Sequence, residues 1–307
     1  MEKEPTRTAS CWRKSLRAYL QLDNRGGEIL HTDKRLRTAI VYDFDGTLAD
    51  GNIQEHGFLS HLGIDKLTFW RDVRKSAKQH DVDEILVYMW KMLEIAKHKK
   101  TTVTREALKK HGEKVPLFKG VETWFKRISK FAGEKKLNLE HYVVSSGNYE
   151  IISGCKIFKC FKKVYASRFI YDGRGQAIWP GIAINYTTKT QFLFRINKGI
   201  KNSWDNQRIN RFIPMSERPI PFSRMIFIGD GETDIPSMKM VRLQGGHSIA
   251  VFDPHKFSEQ SFQDKVYRLI EEDRVHFVAP ADYQEGSQLD VTVKGILARV
   301  ARDAGHK

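Results

Sequence analysis

The chain has 307 residues, of which 40% are hydrophobic and 11% aromatic, so it can form a buried core and by length favours about two domains. Its apolar runs are far shorter than the roughly 20 residues of a membrane-spanning helix, which excludes an integral membrane protein. Three cysteines cannot form a disulfide framework and favour a reducing, cytoplasmic location.

The net positive charge of the chain favours anionic binding partners. Fifty-two Lys and Arg residues against 37 Asp and Glu residues give a net charge of +15, which attracts phosphate esters or nucleic acid. The basic residues are spread along the whole chain and do not alternate with aromatic residues, as a groove for single strands requires. Nucleic acid is therefore less favoured as a partner than phosphate esters, and we expect no membrane partner. The oligomeric state stays open.

Residues 1–36 form an N-terminal extension without the apolar core of a secretory signal. Apolar residues recur in it at helical spacing: Trp12, Leu16, Tyr19 and Leu20. This pattern predicts a short basic amphipathic helix over residues 11–20. The early acidic residues argue against organelle targeting or membrane-surface binding, which leaves a helix docked on the body or a loose tail.

β-Branched apolar runs alternate with helix-period segments along the rest of the chain, which is typical of an α/β domain with a parallel sheet. We predict three strands over residues 38–42, 141–144 and 225–228, and further strands over residues 248–252 and 274–278. The last helix is predicted over residues 287–302. Each of the first three strands ends in polar residues, and in such sheets the ligand lies at the carboxyl ends of the strands.

A helical insertion is predicted over residues 51–114, between two parts of the core at residues 37–50 and 115–307. One apolar helix face marks it: Ile85, Tyr88, Met89, Met92, Leu93 and Ala96. We expect this insertion to lie over the site. Beyond it we predict a helix over residues 122–131 with Gly133 as its stop signal, and a long surface loop over residues 202–221.

The sequence Asp43-Phe44-Asp45-Gly46-Thr47 places two carboxylates on one side of an extended strand end. Such close carboxylates repel unless a cation joins them or one of them keeps a proton, and either outcome serves catalysis. The alternative is a solvated Asp-rich turn.

Two more segments follow strands. Asp230 and Asp234, in the segment Gly229-Asp230-Gly231-Glu232-Thr233-Asp234, offer hard oxygen ligands that suit Mg²⁺, although Asp234 could simply cap the next helix. Ser145-Ser146-Gly147-Asn148 offers hydroxyls and backbone N–H groups to an anion at a helix start. Ordinary N-capping by either serine is the alternative.

Together these segments resemble the four motifs of the haloacid dehalogenase superfamily, in the family's order over residues 38–252. The resemblance implies a Rossmann-like three-layer core with a helical cap of the superfamily's first cap class. For the motif lysine, Lys189 is preferred because a helix that begins there, before the third strand, resembles the family's placement of its lysine. Lys198 is the alternative. The alternative for either residue is an ordinary surface lysine with no role in catalysis.

By this resemblance, the chain is an Mg²⁺-dependent phosphatase whose partner is a small phosphorylated metabolite. Asp43 is its nucleophile and Asp45 its general acid and base. Mg²⁺ would be held by Asp43, the Asp45 carbonyl and Asp230, with Asp234 reaching the metal through water or orienting the lysine. The resemblance implies that phosphate is bound by a set of residues from three motifs: Thr47, Ser145, Ser146, Gly147 and Lys189. An acid at position 45 resembles the phosphatase and phosphomutase branches rather than the dehalogenases.

The family includes phosphoserine phosphatase, but this chain departs from that enzyme's pattern. Gly46 stands where its motif has Ser, Asn52 stands near the place of its substrate-binding Glu, and Glu55 is displaced. A phosphomutase or phosphotransferase of the same fold remains an alternative. So does a basic nucleic-acid-binding protein or polynucleotide phosphatase, which is less favoured because every motif residue is present.

Overall fold

The structure is a computed structural model that describes residues 35–305, so the predicted helix over residues 11–20 lies outside the described residues. Within them, the strands are β1 (Leu36–Tyr42), β2 (Leu137–Asn148), β3 (Lys163–Tyr171), β4 (Ala177–Ile182), β5 (Met225–Gly229), β6 (His247–Phe252) and β7 (Phe277–Pro280). They form one sheet in the order β4-β3-β2-β1-β5-β6-β7. Neighbours pair in parallel except β3 and β4, which are antiparallel.

The α-helices of the described chain are α1 (Lys66–His80), α2 (Glu84–His98), α3 (Arg105–Gly112), α4 (Val121–Glu134), α5 (Tyr149–Gly154), α6 (Thr188–Asn197), α7 (Asn206–Asn210), α8 (Ile235–Leu243), α9 (Gln260–Glu271) and α10 (Gln288–Asp303). A π-helical turn covers Glu55–Leu59. Among these elements, no helix combines the length and the apolar character that crossing a membrane requires.

Strand β1 lies at the centre of the sheet and is buried on both faces. Ile40 and Tyr42 join the cluster that includes the buried sides of α4 and α10, whereas Ala39 and Val41 join the cluster of α6 and α8. Burial on both faces explains why this strand is apolar throughout rather than alternating. Each large side chain buried here contributes about 1.5–3 kcal/mol. The predicted three-layer α/β fold is confirmed.

The helical insertion carries α1, α2 and α3. Tyr88, Met89, Met92 and Ala96 of α2 are buried, which confirms its predicted apolar face. Helix α3 packs closely on α5 of the core. A Cβ atom at Gly112 would lie only 1.9 Å from a backbone oxygen of α5. The chain division at residues 51 and 114 stays a prediction.

Several sequence-based boundaries were wrong. Helix α4 continues through Gly133 to Glu134, and the left-handed residue that follows is Lys136. The strand predicted over residues 274–278 is β7 and starts at Phe277, because the Arg274 N–H is used to close the end of α9. Strands β3 and β4 were not predicted, and α7 interrupts the loop predicted over residues 202–221.

Candidate active site

The carboxyl ends of β1 and β5 bring two acidic segments together. These strands are parallel neighbours, with Tyr42 opposite Ile228. Asp43 directly follows β1 and Asp230 directly follows β5. Carboxylate oxygens of Asp43, Asp230 and Asp234 lie within 4.8 Å of one another. The structure therefore brings together acids that are almost two hundred residues apart in the sequence.

Lys189 lies in the first turn of α6 and contacts two of these acids. Its Nζ donates hydrogen bonds to Asp43 Oδ2 over 2.8 Å and to Asp234 Oδ1 over 2.7 Å. Burial by itself would lower the pKa of Lys189, but the negative charges of Asp234 and Asp43 outweigh it and raise this pKa above its ordinary value. The buried ammonium is therefore a permanent cation at the bottom of the site.

Lys198, the alternative lysine, lies elsewhere. Its Nζ donates to the backbone carbonyls of Ile209 and Arg211 over 2.6 Å and 2.9 Å. It thus holds the loop after α6, and the acidic cluster contains Lys189.

Asp234 precedes α8, but its side chain does not cap that helix. Its Oδ1 accepts from Lys189, and its Oδ2 accepts from the Asp230 backbone N–H over 3.2 Å. The alternative role as an ordinary cap is thus excluded, because both carboxylate oxygens face the acidic cluster.

Asp45 is held from two sides. Its Oδ1 accepts a hydrogen bond from the Ile53 backbone N–H over 2.8 Å. A Cβ atom at Gly147 would lie 2.6 Å from its Oδ2, so a side chain at position 147 would force this carboxylate to move. Poor hydration, followed by the negative charge of Asp43, raises the pKa of Asp45 to about 7. Asp45 can therefore hold a proton near neutral pH.

Asp230 is exposed to the cleft at the bottom of the site. The protein atoms around its carboxylate, followed by the charge of Asp43, raise the pKa of Asp230 above its ordinary value. Asp43, Asp230 and Asp234 thus offer crowded hard oxygen donors, and a divalent cation would relieve their repulsion. The donor set fits Mg²⁺, which prefers few carboxylates and keeps several waters.

Residues 145–148 were predicted to follow a strand, but they are the last four residues of β2, and their serines do not cap a helix. Asn148 caps α5, with its side chain accepting from the Ile151 N–H over 3.2 Å. Ser145 Oγ instead accepts from the Gly147 N–H over 2.9 Å, and Ser146 lines the cleft. The predicted phosphate contacts of Ser145, Ser146 and Gly147 stay predictions.

Thr47 is fully buried below the site. Its carbonyl accepts a hydrogen bond from the Tyr283 hydroxyl over 2.8 Å. Its hydroxyl oxygen has no hydrogen-bond partner among the described residues. The predicted contact between Thr47 and phosphate stays a prediction.

A cleft of about 490 Å³ lies above Asp43, Asp45 and Asp230, between the core and the helical insertion. Aromatic side chains line much of it: Trp70, Tyr88, Phe118, Tyr186, Phe252 and Phe262. Arg74 and Lys256 add positive charge. The cleft is therefore wide enough for more than an isolated phosphate.

Glu55 does not line this cleft. Its Oε1 accepts from Asn52 Nδ2 and from Trp70 Nε1, both over 2.8 Å, and Lys66 lies 3.6 Å from its Oε2. The insertion's own side chains thus satisfy this carboxylate.

Sequence reasoning missed the hydrogen bond from Ile53 to Asp45. Every residue except proline carries a backbone N–H, so the sequence holds no signal for it. It also missed the contacts of α2 with the core, which join residues far apart in the chain.

The chain is similar to known proteins both in sequence and in fold. A family model described as haloacid dehalogenase-like hydrolase matches residues 40–239. An uncharacterized protein of Borreliella burgdorferi (strain ATCC 35210 / DSM 4680 / CIP 102532 / B31) is 28% identical over 275 residues, which cover 82% of this chain and 93% of that protein.

Two solved structures are similar in fold. A substrate-bound phosphoserine phosphatase complex has a TM-score of 0.51 at 16% identity, covering 80% of this chain and 93% of that chain. A probable phosphoserine phosphatase from Vibrio cholerae, in unliganded form, has a TM-score of 0.52 at 14% identity. The match covers 89% of this chain and 69% of that chain. At such identities the likeness shows a shared fold.

Proposed function

The chain belongs to the haloacid dehalogenase-like hydrolases, and on this premise we propose that it is an Mg²⁺-dependent phosphatase of a small phosphate monoester. The observation that carries the proposal is the environment of two neighbouring acids. Asp43 is paired with the buried Lys189, whereas Asp45 has a pKa near 7 and faces Gly147. Two carboxylates with such different surroundings suit two different roles, nucleophile and proton donor.

In the first step, a carboxylate oxygen of Asp43 forms a bond to phosphorus, and the bond between phosphorus and the ester oxygen breaks. Asp45 donates its proton to the leaving oxygen, which departs as an alcohol. The product on the protein is an aspartyl-phosphate.

In the second step, the oxygen of a water molecule forms a bond to the phosphorus of the aspartyl-phosphate, and the bond between phosphorus and the Asp43 carboxylate oxygen breaks. The Asp45 carboxylate accepts the proton of that water, so Asp43 and protonated Asp45 are regenerated and inorganic phosphate is released. The hydrogen bond from the Ile53 N–H would hold the Asp45 carboxyl group in the same orientation in both steps.

Lys189 and Ser145 would bind phosphoryl oxygens, and Asp234 orients Lys189 through their 2.7 Å contact. Asp43, Asp230 and the Asp45 carbonyl would hold Mg²⁺. When bound, Mg²⁺ supplies positive charge that offsets repulsion between the phosphate and the acids. Positioning and electrostatics of this kind provide most of the acceleration in phosphoryl transfer.

For the substrate, we infer a phosphate ester whose organic part contacts the aromatic wall of the cleft. Support comes from the lining side chains, such as Trp70 and Phe252, and from the cation of Arg74. Glu55 is occupied within the insertion, so no glutamate from that position meets an amino group of phosphoserine. A cytoplasmic location stays a prediction that rests on the cysteine content.

The test is turnover of a panel of phosphate monoesters that includes phosphoserine, sugar phosphates and nucleotides, with Mg²⁺ or with EDTA. We expect hydrolysis of at least one ester with Mg²⁺, none in EDTA, and an acid-stable, hydroxylamine-sensitive phosphoenzyme that Asp43→Asn abolishes. Labelled phosphate bound covalently to that variant would move the nucleophile elsewhere. Exchange between sugar bisphosphates without phosphate release would identify a phosphomutase instead.

A further inference from the structure

We propose that Asp83, at the N-cap of α2, and Tyr88, within α2, are positioning residues, which hold the two phosphate-binding segments of the active site at a fixed separation. These segments are residues 145–148 at the end of β2 and residues 185–189 at the start of α6. The inference rests on the proposed function, because it assigns a role in phosphate binding to contacts between the helical insertion and the core.

Asp83 holds the second segment while it also starts α2. Its Oδ1 accepts from the backbone N–H groups of Ile85 and Leu86 over 2.9 Å and 3.0 Å, which caps the helix. Its Oδ2 accepts a hydrogen bond from the side-chain amide of Asn185. One carboxylate thus joins the insertion to the core.

Asn185 passes this restraint to Lys189. Its Oδ1 accepts from the Thr188 N–H over 3.0 Å, and its carbonyl accepts from the Lys189 N–H over 3.0 Å. These bonds shape the turn that leads into α6. The Lys189 ammonium, in turn, contacts Asp43. The position of Asp83 therefore affects the direction from which Lys189 enters the site.

Tyr88 holds the first segment. Its side chain is buried, with 1% of its surface exposed, and its hydroxyl donates to the Ser146 carbonyl over 2.8 Å. Ser146 lies between Ser145 and Gly147, the residue that packs against Asp45. A shift of this carbonyl would move the serine and the glycine together.

The Asp83–Asn185 and Tyr88–Ser146 hydrogen bonds both come from one helix, so a movement of that helix changes both of them. Asp83 and Tyr88 are five residues apart, which corresponds to about 7.5 Å along a helix axis. Since a packed helix does not stretch, α2 fixes the spacing of both segments while the insertion is docked. If the insertion moves away, both hydrogen bonds break together and the phosphate-binding geometry relaxes.

The experiment exchanges the two partners of the Asp83–Asn185 contact. Asp83→Asn keeps an oxygen to cap α2 but points an amide at the Asn185 amide, so two donors meet. Asn185→Asp keeps an oxygen for Thr188 but places two carboxylates together. The double variant Asp83→Asn/Asn185→Asp restores a donor facing an acceptor, in the opposite direction, with both caps intact.

With p-nitrophenyl phosphate and Mg²⁺, we expect each single variant to lose about 10- to 100-fold in kcat/KM, mainly in kcat, because misplaced phosphate contacts disturb the reacting geometry. The double variant should recover most of this loss. Tyr88→Phe should show a similar loss in kcat. Asp65→Asn, at the N-cap of α1 in the same insertion, should keep the wild-type value, because within the described part of the chain its carboxylate accepts from the Thr68 N–H of its own helix.

A purely structural role would lower the melting temperature of the single variants and leave kcat/KM of the folded protein unchanged, and this result would overturn the proposal. Hydrogen exchange of residues 145–148 gives an independent measurement, and we expect it to be faster in both single variants than in the double variant. If wild-type protein hydrolyses no ester, the proposed function fails, and unchanged exchange then refutes the coupling separately.

Discussion

The backbone N–H of Ile53 donates a hydrogen bond to Asp45 Oδ1 over 2.8 Å, so the first residues of the helical insertion orient the proposed acid. An amide in place of this carboxylate could still accept that bond through its oxygen. Replacement by Asn should therefore preserve the local geometry and remove only the proton transfer, which makes Asp45→Asn a clean probe of the mechanism.

For Asp45→Asn we expect hydrolysis of the aspartyl-phosphate to slow by roughly 10²- to 10⁴-fold. Formation of the intermediate should survive in part with p-nitrophenyl phosphate, because nitrophenolate leaves without a proton. Rapid mixing should show a burst of one nitrophenolate per active site and then slow turnover, whereas an alkyl phosphate should show no burst. Wild-type rates with both esters would show that Asp45 is not the acid and base.

Binding of Mg²⁺ should stabilise the folded protein, because three crowded carboxylates lie within 4.8 Å of one another. A cation at 100 times its dissociation constant adds about 2.7 kcal/mol to the free energy of unfolding. We expect calorimetry to show a higher melting temperature with Mg²⁺ in wild type and a much smaller rise in Asp230→Asn. Asp72→Asn, an exposed acid on α1, is the matched control. Equal rises in all three proteins would contradict the metal site.

Gly147→Ala should damage activity more than stability. The new Cβ atom would lie 2.6 Å from Asp45 Oδ2, so the acid must move. A displacement of this kind can cost about 10²-fold in kcat. Steady-state kinetics and denaturant unfolding measure the two effects, and undiminished kcat would show that Asp45 tolerates the shift.

Gly295→Ala provides the comparison for glycine replacement away from the site. Gly295 is exposed within α10, and a Cβ atom there would meet nothing within 4 Å. We expect wild-type kinetics and a free energy of unfolding higher by about 1 kcal/mol, since alanine favours helix over glycine. A loss of stability would show that this helix position is strained.

His141 should make the fold sensitive to acid. Burial lowers its pKa to about 3, and its ring nitrogens face Tyr42 Oη at 3.0 Å and Ser129 Oγ at 2.9 Å. The folded pKa lies below the unfolded value of about 6.5, so this contribution is present above pH 6.5 and is lost as the pH falls toward 3.

Between pH 7 and pH 5, the unfolding free energy should fall by about 2 kcal/mol through His141 alone. Urea unfolding at several pH values should show this slope in wild type and a shallower one in His141→Gln. His80→Gln, at an exposed position of α1, should keep the wild-type slope. Parallel profiles for all three proteins would mean that His141 does not titrate with unfolding.

The sequence by itself determined the α/β class and that two acidic segments lie at one edge of the sheet. Apolar strands followed by acids predicted that Asp43 and Asp230 would share one edge of the sheet, because parallel strands end on the same side. Helical spacing predicted the buried face of α2. These signals are local periodicities and strand ends, which a single sequence carries. The preference for Lys189 over Lys198 rested instead on the family resemblance, and the structure places Lys189 among the acids.

Only the tertiary structure decided what each polar group contacts. Asp234 and Asn148 both precede helices, but only Asn148 caps one, since Lys189 and the Asp230 N–H occupy the Asp234 carboxylate. Asp83 and Asn185 lie 102 positions apart, and nothing local links them. Such hydrogen bonds depend on how the insertion docks on the sheet, and docking is set by packing over the whole core rather than by the residues that finally pair.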